Sequence, residues 1–475
     1  MSVFFSSAHP SNRNRPSKHC IHHKFTLSIR ISIHPRLGVK MKVGILGGGI
    51  SGIAIQHFLN TESEVLEAAP KIGGLCTTIW KDGFGYDIGG HILFTKNQEV
   101  SDVVEHALGE NINYCKRFNN ILYKGHFVKY PFENGIGGLD SQDRYECLIG
   151  YLKNEHTNPP TNLREWCYST FGNGFAEKYL IPYNEKIWNW PTDKTEMGWV
   201  ERIPKPPMED VVKSALGIET EGYLHQLFFK YPKHGGVESL VRALAKPEAA
   251  ISCGYRVSDI RREGAGWRVT DGHSSRLFDR LAVTFPIHEV VKCFADLPAE
   301  VYKAVQGLRY NTINIVFVAI NNESLLSRSA TYIPDPTVLT HRICCMGYFS
   351  KELVQPGTSS LIAEITTNAG DGVHEMSDAQ LTERTVDDLD RIGLIRKSDV
   401  IVTDVHRSTY GYPVYDLDYR RNVGVMRDYF ASVGIDLCGR FAEFEYINSD
   451  ECIRRAIALA NRYNEEAAAK ATSMI

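Results

Sequence analysis

Apolar and polar positions fall into recognisable periods along this chain, and the first clear one starts at residue 41. Val43-Gly44-Ile45-Leu46 is an unbroken apolar run of strand length, the pattern of a strand buried on both faces. Gly47-Gly48-Gly49-Ile50-Ser51-Gly52 follows at once, and Ile53 to Leu59 then reads as a helix. Glu64-Val65-Leu66 predicts a second short strand that ends at Glu67. Further on, Glu238 to Ala245 reads as an amphipathic helix, 251–253, 255–260 and 267–269 as strands, and Leu281 to Pro286 as a returning parallel strand. The segment 106–227 reads as largely helical and 301–399 as strand-rich. Glu451 to Ala460 predicts a helix, with the alanine-rich stretch 465–471 a frayed extension at best. One stretch resists a simple assignment. Gly85 to Phe94, GYDIGGHILF, has the composition of a strand, but Gly89, Gly90 and His91 interrupt it. A tight turn against a flat ligand and an ordinary bulge both fit.

The glycine spacing adds chemistry. Strand, GxGxxG, helix and an acid 20 residues after Gly47 make up a dinucleotide-binding fingerprint. Gly47 permits the tight turn, Gly49 lets the backbone approach a pyrophosphate, and Gly52 lets helix and strand pack closely. The helix start at Ile50 and Ser51 offers N–H groups and a positive dipole end to phosphates. Glu67 stands where a ribose-binding carboxylate belongs, which a glycine loop that binds nothing leaves unexplained. No second GxGxxG occurs, so NAD(P)H has no such site of its own.

Composition narrows the class. The chain has 475 residues, 43% hydrophobic and 23% charged, which suits a large globular enzyme. A net charge of −3 argues against a nucleic-acid partner, and no apolar run is long enough for a transmembrane segment. Residues 1–40 differ: seven Lys or Arg, no acid, and much Ser and His. They read as a basic extension outside the fold, either a transit peptide or sequence ahead of a start at Met41. Eleven cysteines without CxxC pairs point to reduced thiols, hence a cytoplasmic location, and to no metal site. Cys344-Cys345 reads as strand packing. A homo-oligomer stays open.

Glu67-Ala68-Ala69-Pro70-Lys71-Ile72-Gly73-Gly74-Leu75 resembles the signature of the FAD-dependent amine oxidase and protoporphyrinogen oxidase superfamily, in which Arg is usual at the Lys71 position. The resemblance implies an α/β fold: a Rossmann-type FAD-binding domain of the glutathione-reductase-like kind, with an interleaved helical and β-sheet substrate domain. The FAD domain is then built from 41–105, 228–300 and 400–470, and the substrate domain from 106–227 and 301–399. FAD is the implied cofactor, held by Gly47, Gly49, Ile50, Ser51, Gly52, Glu67, Ala68, Gly74, Leu75, Gly90, His91, Val257, Arg440, Asn448 and Asp450. His91 would lie beside the flavin's reactive edge. A core histidine satisfied by a carbonyl is the plainer alternative.

Tyr130-Pro131-Phe132-Glu133-Asn134, the run Pro182 to Thr192 (PYNEKIWNWPT) and Gly411-Tyr412-Pro413, together with GGHILF and GRFAEFEY, resemble UDP-galactopyranose mutase, especially its eukaryotic-type branch. That resemblance implies interconversion of pyranose and furanose forms of a UDP-sugar through a reduced-flavin N5 adduct. It makes Arg342, with His91, the catalytic pair, and adds Tyr183, Asn184, Trp188, Tyr412 and Tyr446 to Arg342 as substrate-binding residues. The family places a second diphosphate arginine just before Pro-Tyr-Asn; Ile181 stands there, leaving Lys178, Lys186 or Arg202 to replace it. A small-molecule substrate other than a nucleotide sugar therefore stays open, as do an FAD-dependent oxidase or desaturase and a flavin-holding protein without turnover.

Overall fold

The computed structural model describes residues 41–220 and 227–472. The expectations for residues 1–40 lie outside the described residues. Five strands pair in parallel throughout, in the spatial order Ile435–Leu437, Arg280–Val283, Lys42–Leu46, Glu62–Glu67 and Ala250–Cys253. The unbroken apolar run has its cause here. Val43, Ile45, Val65 and Ala282 face one hydrophobic cluster, while Leu46, Leu66, Leu281 and Val283 face another. Both faces of this sheet are covered, so alternate positions cannot be polar.

On the first face lie the helices Ile50–Phe58 and Ser449–Thr472, packed against each other. The second helix is longer than its sequence suggests, because its alanine-rich end is held from the side. Asn464 accepts from Asn60 N–H and donates to Phe58 O, and Lys470 reaches Asp279. A three-stranded antiparallel meander, 259–278, covers part of the other face.

A second, seven-stranded sheet runs in the order Val400–Val414, Arg309–Ile320, Ser359–Thr367, Arg342–Cys345, Ala330–Tyr332, Asn119–Tyr123 and His126–Lys129. All its pairings are antiparallel except Ala330–Tyr332 with Asn119–Tyr123. Ser359–Thr367 is buried along all 9 residues. The strand Val400–Val414, grouped by sequence with 400–470, thus belongs to this mixed sheet, and the segment 106–227 contributes two strands to it as well as helices. Beside it, a π-helical turn, Ala176–Leu180, joins the helices Leu163–Phe175 and Ile181–Trp188. Tyr179 and Tyr183 stack across this junction, ring centroids 5.4 Å apart. No helix among the described residues is long and apolar enough to cross a membrane.

Candidate active site

The glycine loop is built as its spacing requires. Gly47 has φ +112°, and a Cβ on Gly52 would sit 2.0 Å from Gly47 O, so only glycine lets the helix start this close to the strand. Gly49 and Gly74 meet backbone to backbone: a Cβ on Gly74 would lie 3.1 Å from Gly49 Cα. The helix from Ile50 and Ser51 has neither a side-chain cap nor an acid in its first turn, which leaves its N–H end available to an anion. Glu67 is fixed at the end of its strand, accepting from Gly48 N–H at 2.5 Å and Ala69 N–H at 2.7 Å. Gly254 and Tyr255 donate to the carbonyls of Ala69 and Glu67, which ties the chain just before half-buried Val257 to the end of the Glu67 strand. Lys71 pairs with buried Glu238 at 2.7 Å.

The interrupted segment 85–94 resolves into a strand and a loop. Phe84–Asp87 ends at a buried carboxyl that accepts from Tyr231 and Thr78 hydroxyls at 2.6 and 2.7 Å. Burial pushes Asp87 up to about 7. Gly89 then turns at φ +101°, and a Cβ on Gly90 would meet Cys344 Sγ at 2.5 Å. The glycines let this loop press onto the second sheet, where Gly90 N–H donates to Glu364 at 2.9 Å. His91 is half-buried, and its Nδ1 has no hydrogen-bond partner among the described residues. Burial, reinforced by the positive charge of Arg440 and Arg342, lowers it to about 4 despite Glu364. A neutral imidazole with an orphaned buried nitrogen fits a residue that completes its hydrogen bonding with a bound group.

Glu364 is the residue that sequence reasoning missed. It is fully buried and faces Arg342 across adjacent strands. Arg342 donates to both its oxygens, at 2.8 and 2.6 Å from Nη2, and Tyr412 OH donates at 3.2 Å. Burial opposes its charge, but Arg342 and His341 outweigh that and hold it below the usual carboxylate range. One buried anion therefore orients the arginine, a tyrosine and the histidine loop together. A lone Glu in the apolar stretch Ser359–Thr367 was the available signal.

These groups open on a cavity of about 500 Å³. Of the expected site residues, Leu75, Gly90, His91, Tyr183, Asn184, Arg342, Tyr412, Arg440, Tyr446 and Asn448 line it. Trp188 does not: it is 2% exposed, donates to Asn184 Oδ1, and sits edge-on behind Tyr412 and Tyr446. Asp450 faces a smaller neighbouring pocket. The glycine loop, Glu67, Ala68, Gly74 and Val257 lie outside the cavity lining, at the mouth of the parallel sheet. Burial and neighbouring Glu364 keep the Tyr412 phenol protonated and able to donate.

Of the three cations that the sequence offers in place of an arginine at position 181, one lines the cavity. Ile181 is buried in the helical core; Lys178 is tied to Asp143 and Glu146, and Lys186 to the carbonyls of Ile333 and Asp335. Arg202 does reach the cavity, its guanidinium 5.0 Å from the Tyr446 ring centre and 5.7 Å from that of Trp199. Arg440 lies 4.7 Å from the same Tyr446 ring. Arg117, which no sequence motif marked, lines the cavity beside Tyr130 and donates to Tyr332 OH. Among the described residues the lining carries 5 cations, counting Lys96, against the acids Glu133 and Glu201. A cavity of that balance suits an anion.

Comparison with known proteins agrees with this fold and loop. Residues 60–423 match the family of flavin-containing amine oxidoreductases, and the chain belongs to that family. It is an FAD-binding enzyme with the Rossmann-type α/β architecture of the group. The coproporphyrinogen III oxidase of Bacillus subtilis (strain 168) is 21% identical over 87% of this chain and 96% of its own length. Among solved structures, a reduced UDP-galactopyranose mutase superposes with a TM-score of 0.83 at 22% identity, covering 90% of this chain and 96% of that one. A candidate protoporphyrinogen oxidase from Exiguobacterium sp. 255-15 follows at 0.70 and 20%, covering 90% and 99%. At these identities the likeness is one of fold.

Proposed function

We propose that the chain is an FAD-dependent nucleotide-sugar mutase of the UDP-galactopyranose mutase type, converting a UDP-sugar between its pyranose and furanose forms. The observation that carries this reading is the common cavity of Arg342, Arg202, Tyr412 and Tyr446 with the His91 loop. Guanidinium groups and phenol hydroxyls are donors matched to a diphosphate. Arg342, oriented by Glu364, donates to the diphosphate, Arg202 takes the place of the arginine absent at 181, and the tyrosines donate hydrogen bonds to the same group. Gly47 to Gly52, Glu67 and Val257 would hold the adenosine half of FAD, and Gly90, His91, Arg440 and Asn448 would hold its ring. When bound and reduced, FAD supplies the nucleophile that displaces UDP from the sugar. His91, neutral at physiological pH, hydrogen-bonds rather than adding charge, and the aromatic walls keep bulk water from the reacting carbon. The two-part division into FAD and substrate domains belongs to the same proposal.

The test is a UDP titration of the FAD-loaded protein followed by flavin fluorescence. Arg342→Ala should weaken UDP binding roughly tenfold to hundredfold, the equivalent of about 1.5–3 kcal/mol for a charge-assisted contact, with FAD retained. Unchanged UDP affinity removes the clamp. A second reading, oxidation of a carboxylate-bearing substrate such as a porphyrinogen, is favoured by the same cationic lining and by the likeness to coproporphyrinogen III oxidase. Its mark is bleaching of oxidised flavin by the substrate alone. The positive lining disfavours a cationic amine substrate.

A further inference from the structure

His341 directly precedes the strand Arg342–Cys345, and its side chain is 0% exposed. Its backbone is fixed on both sides: N–H donates to Glu364 O, and C=O accepts from Ile333 N–H. The ring is not fixed. Neither Nδ1 nor Nε2 has a hydrogen-bond partner among the described residues. Nε2 stops 3.6 Å from Glu364 Oε2, just beyond hydrogen-bond reach. Buried polar atoms left open in this way are rare, and each needs a reason.

Each element around the ring brings a group that faces it. Ser359–Thr367 brings Glu364, Ile181–Trp188 brings Tyr183 and Lys186, Val400–Val414 brings Tyr412, and Arg342 is the next residue. The two phenol rings lie 6.4 and 6.3 Å from the imidazole, centre to centre. Lys186 is held by the carbonyls of Ile333 and Asp335, and burial lowers it to about 7. The carboxylates further out are committed elsewhere, Asp335 to Thr337 and Asp388 to Arg384 and Arg391. Burial, aided by Arg342 and Lys186, lowers His341 despite the pull of Glu364, so the resting ring is neutral. That balance holds while Arg342 serves one anion. Its Nε and Nη2 are spent on Glu364, and 20% of its side chain stays open to the cavity. An anion bound there shares the guanidinium with Glu364, and one positive charge then serves two negative groups.

We propose that His341 is a positioning residue that takes up a proton when a diphosphate binds Arg342, becoming the second cation on Glu364 and so holding Tyr412 and the Gly90 loop in place. This rests on the nucleotide-sugar reading of the cavity. One proton moves from solvent onto the neutral ring, which then carries N–H at both nitrogens. Nε2 closes the short gap to Glu364 Oε2 and gains the partner it lacks at rest. The direction of the pH dependence follows. The complex holds one proton more than the free protein, so affinity falls as pH rises through the value His341 has in the complex.

The experiment is a calorimetric titration of the oxidised, FAD-loaded protein with UDP-galactose near neutral pH, run in PIPES and in Tris. The diphosphate of a UDP-sugar does not titrate near neutrality, so a proton taken up goes to the protein and adds a heat set by the buffer. Wild type should take up a proton on binding, up to about one per ligand, and its affinity should fall by up to about tenfold per pH unit between about pH 6 and 8. His341→Gln, with its flavin absorbance retained, should give equal heats in the two buffers and a flat affinity profile. His91→Gln, altered in the cavity histidine, should still take up the proton. The wild-type arm needs no variant: equal heats in both buffers, with UDP-galactose bound, overturn the role of His341 and leave the nucleotide-sugar reading standing. Uptake that persists in His341→Gln does the same. Absence of UDP-galactose binding overturns the nucleotide-sugar reading and this inference with it.

Discussion

Glu364→Gln is the sharpest perturbation of the site, because one carboxylate orients three of its parts. Glu364 is fully buried and accepts from Arg342, Tyr412 and Gly90 N–H. The amide keeps the volume and one acceptor oxygen but removes the charge, which leaves the Arg342 guanidinium without its anion. Removing one partner of a buried pair costs about 3–5 kcal/mol. Arg342 keeps 20% of its side-chain exposure, toward the cavity, so the loss should fall near the lower end, about 3 kcal/mol. An anion on Arg342 then replaces the missing charge, and UDP should stabilise the variant more than it stabilises wild type. The assay is urea unfolding of the FAD-loaded proteins with and without UDP. A stability loss under about 1 kcal/mol, a value usual for exposed pairs, or an equal gain from UDP in both proteins would refute the role given to Glu364.

Three further outcomes are expected. Gly52→Ala forces a Cβ to within 2.0 Å of Gly47 O, so the helix must shift; overpacking of this kind costs about 1–3 kcal/mol, and the protein should purify with little flavin absorbance while remaining folded by circular dichroism. His91, lowered to about 4 from 6.5, should stay neutral at pH 6 in imidazole NMR spectra; the stability it contributes is complete above pH 6.5 and is lost as pH falls towards 4. Glu364, held below the usual 4.5, contributes stability that is complete above that value and declines under it, so acid unfolding of Glu364→Gln should be less steep below pH 4.5 than that of wild type.

The parts of the fold that were legible in the sequence are those where geometry restricts residue type. Gly52 and Gly74 had to lack a Cβ at a close backbone approach, and the buried parallel strand had to be apolar on both sides. His91 stands out in the sequence because the glycines around it break a strand pattern, and its place beside the flavin is what the family resemblance implies. Glu364 was not found, since one acid in an apolar strand has no periodic trace, and its meaning depends on register with Arg342. Arg117 reaches the cavity through long-range packing that no local spacing records, and only such packing singles out Arg202 from the three cations the sequence offers. Trp188 reads as a substrate contact because it lies in PYNEKIW, but it shares a helix face with Asn184, donates to Asn184 Oδ1, and is covered edge-on by Tyr412 and Tyr446, which stand between it and the cavity. The tail of the last helix looked weak in isolation, and side contacts from Asn464 and Lys470 hold it.

The most direct measurement is chromatography of UDP-galactopyranose incubated with the FAD-loaded protein, oxidised and then dithionite-reduced. A second UDP-sugar peak that forms only after reduction, and is lost in Arg342→Ala, is the expected result. No second peak under either condition, with oxidised flavin bleached instead by a porphyrinogen, would contradict the mutase reading.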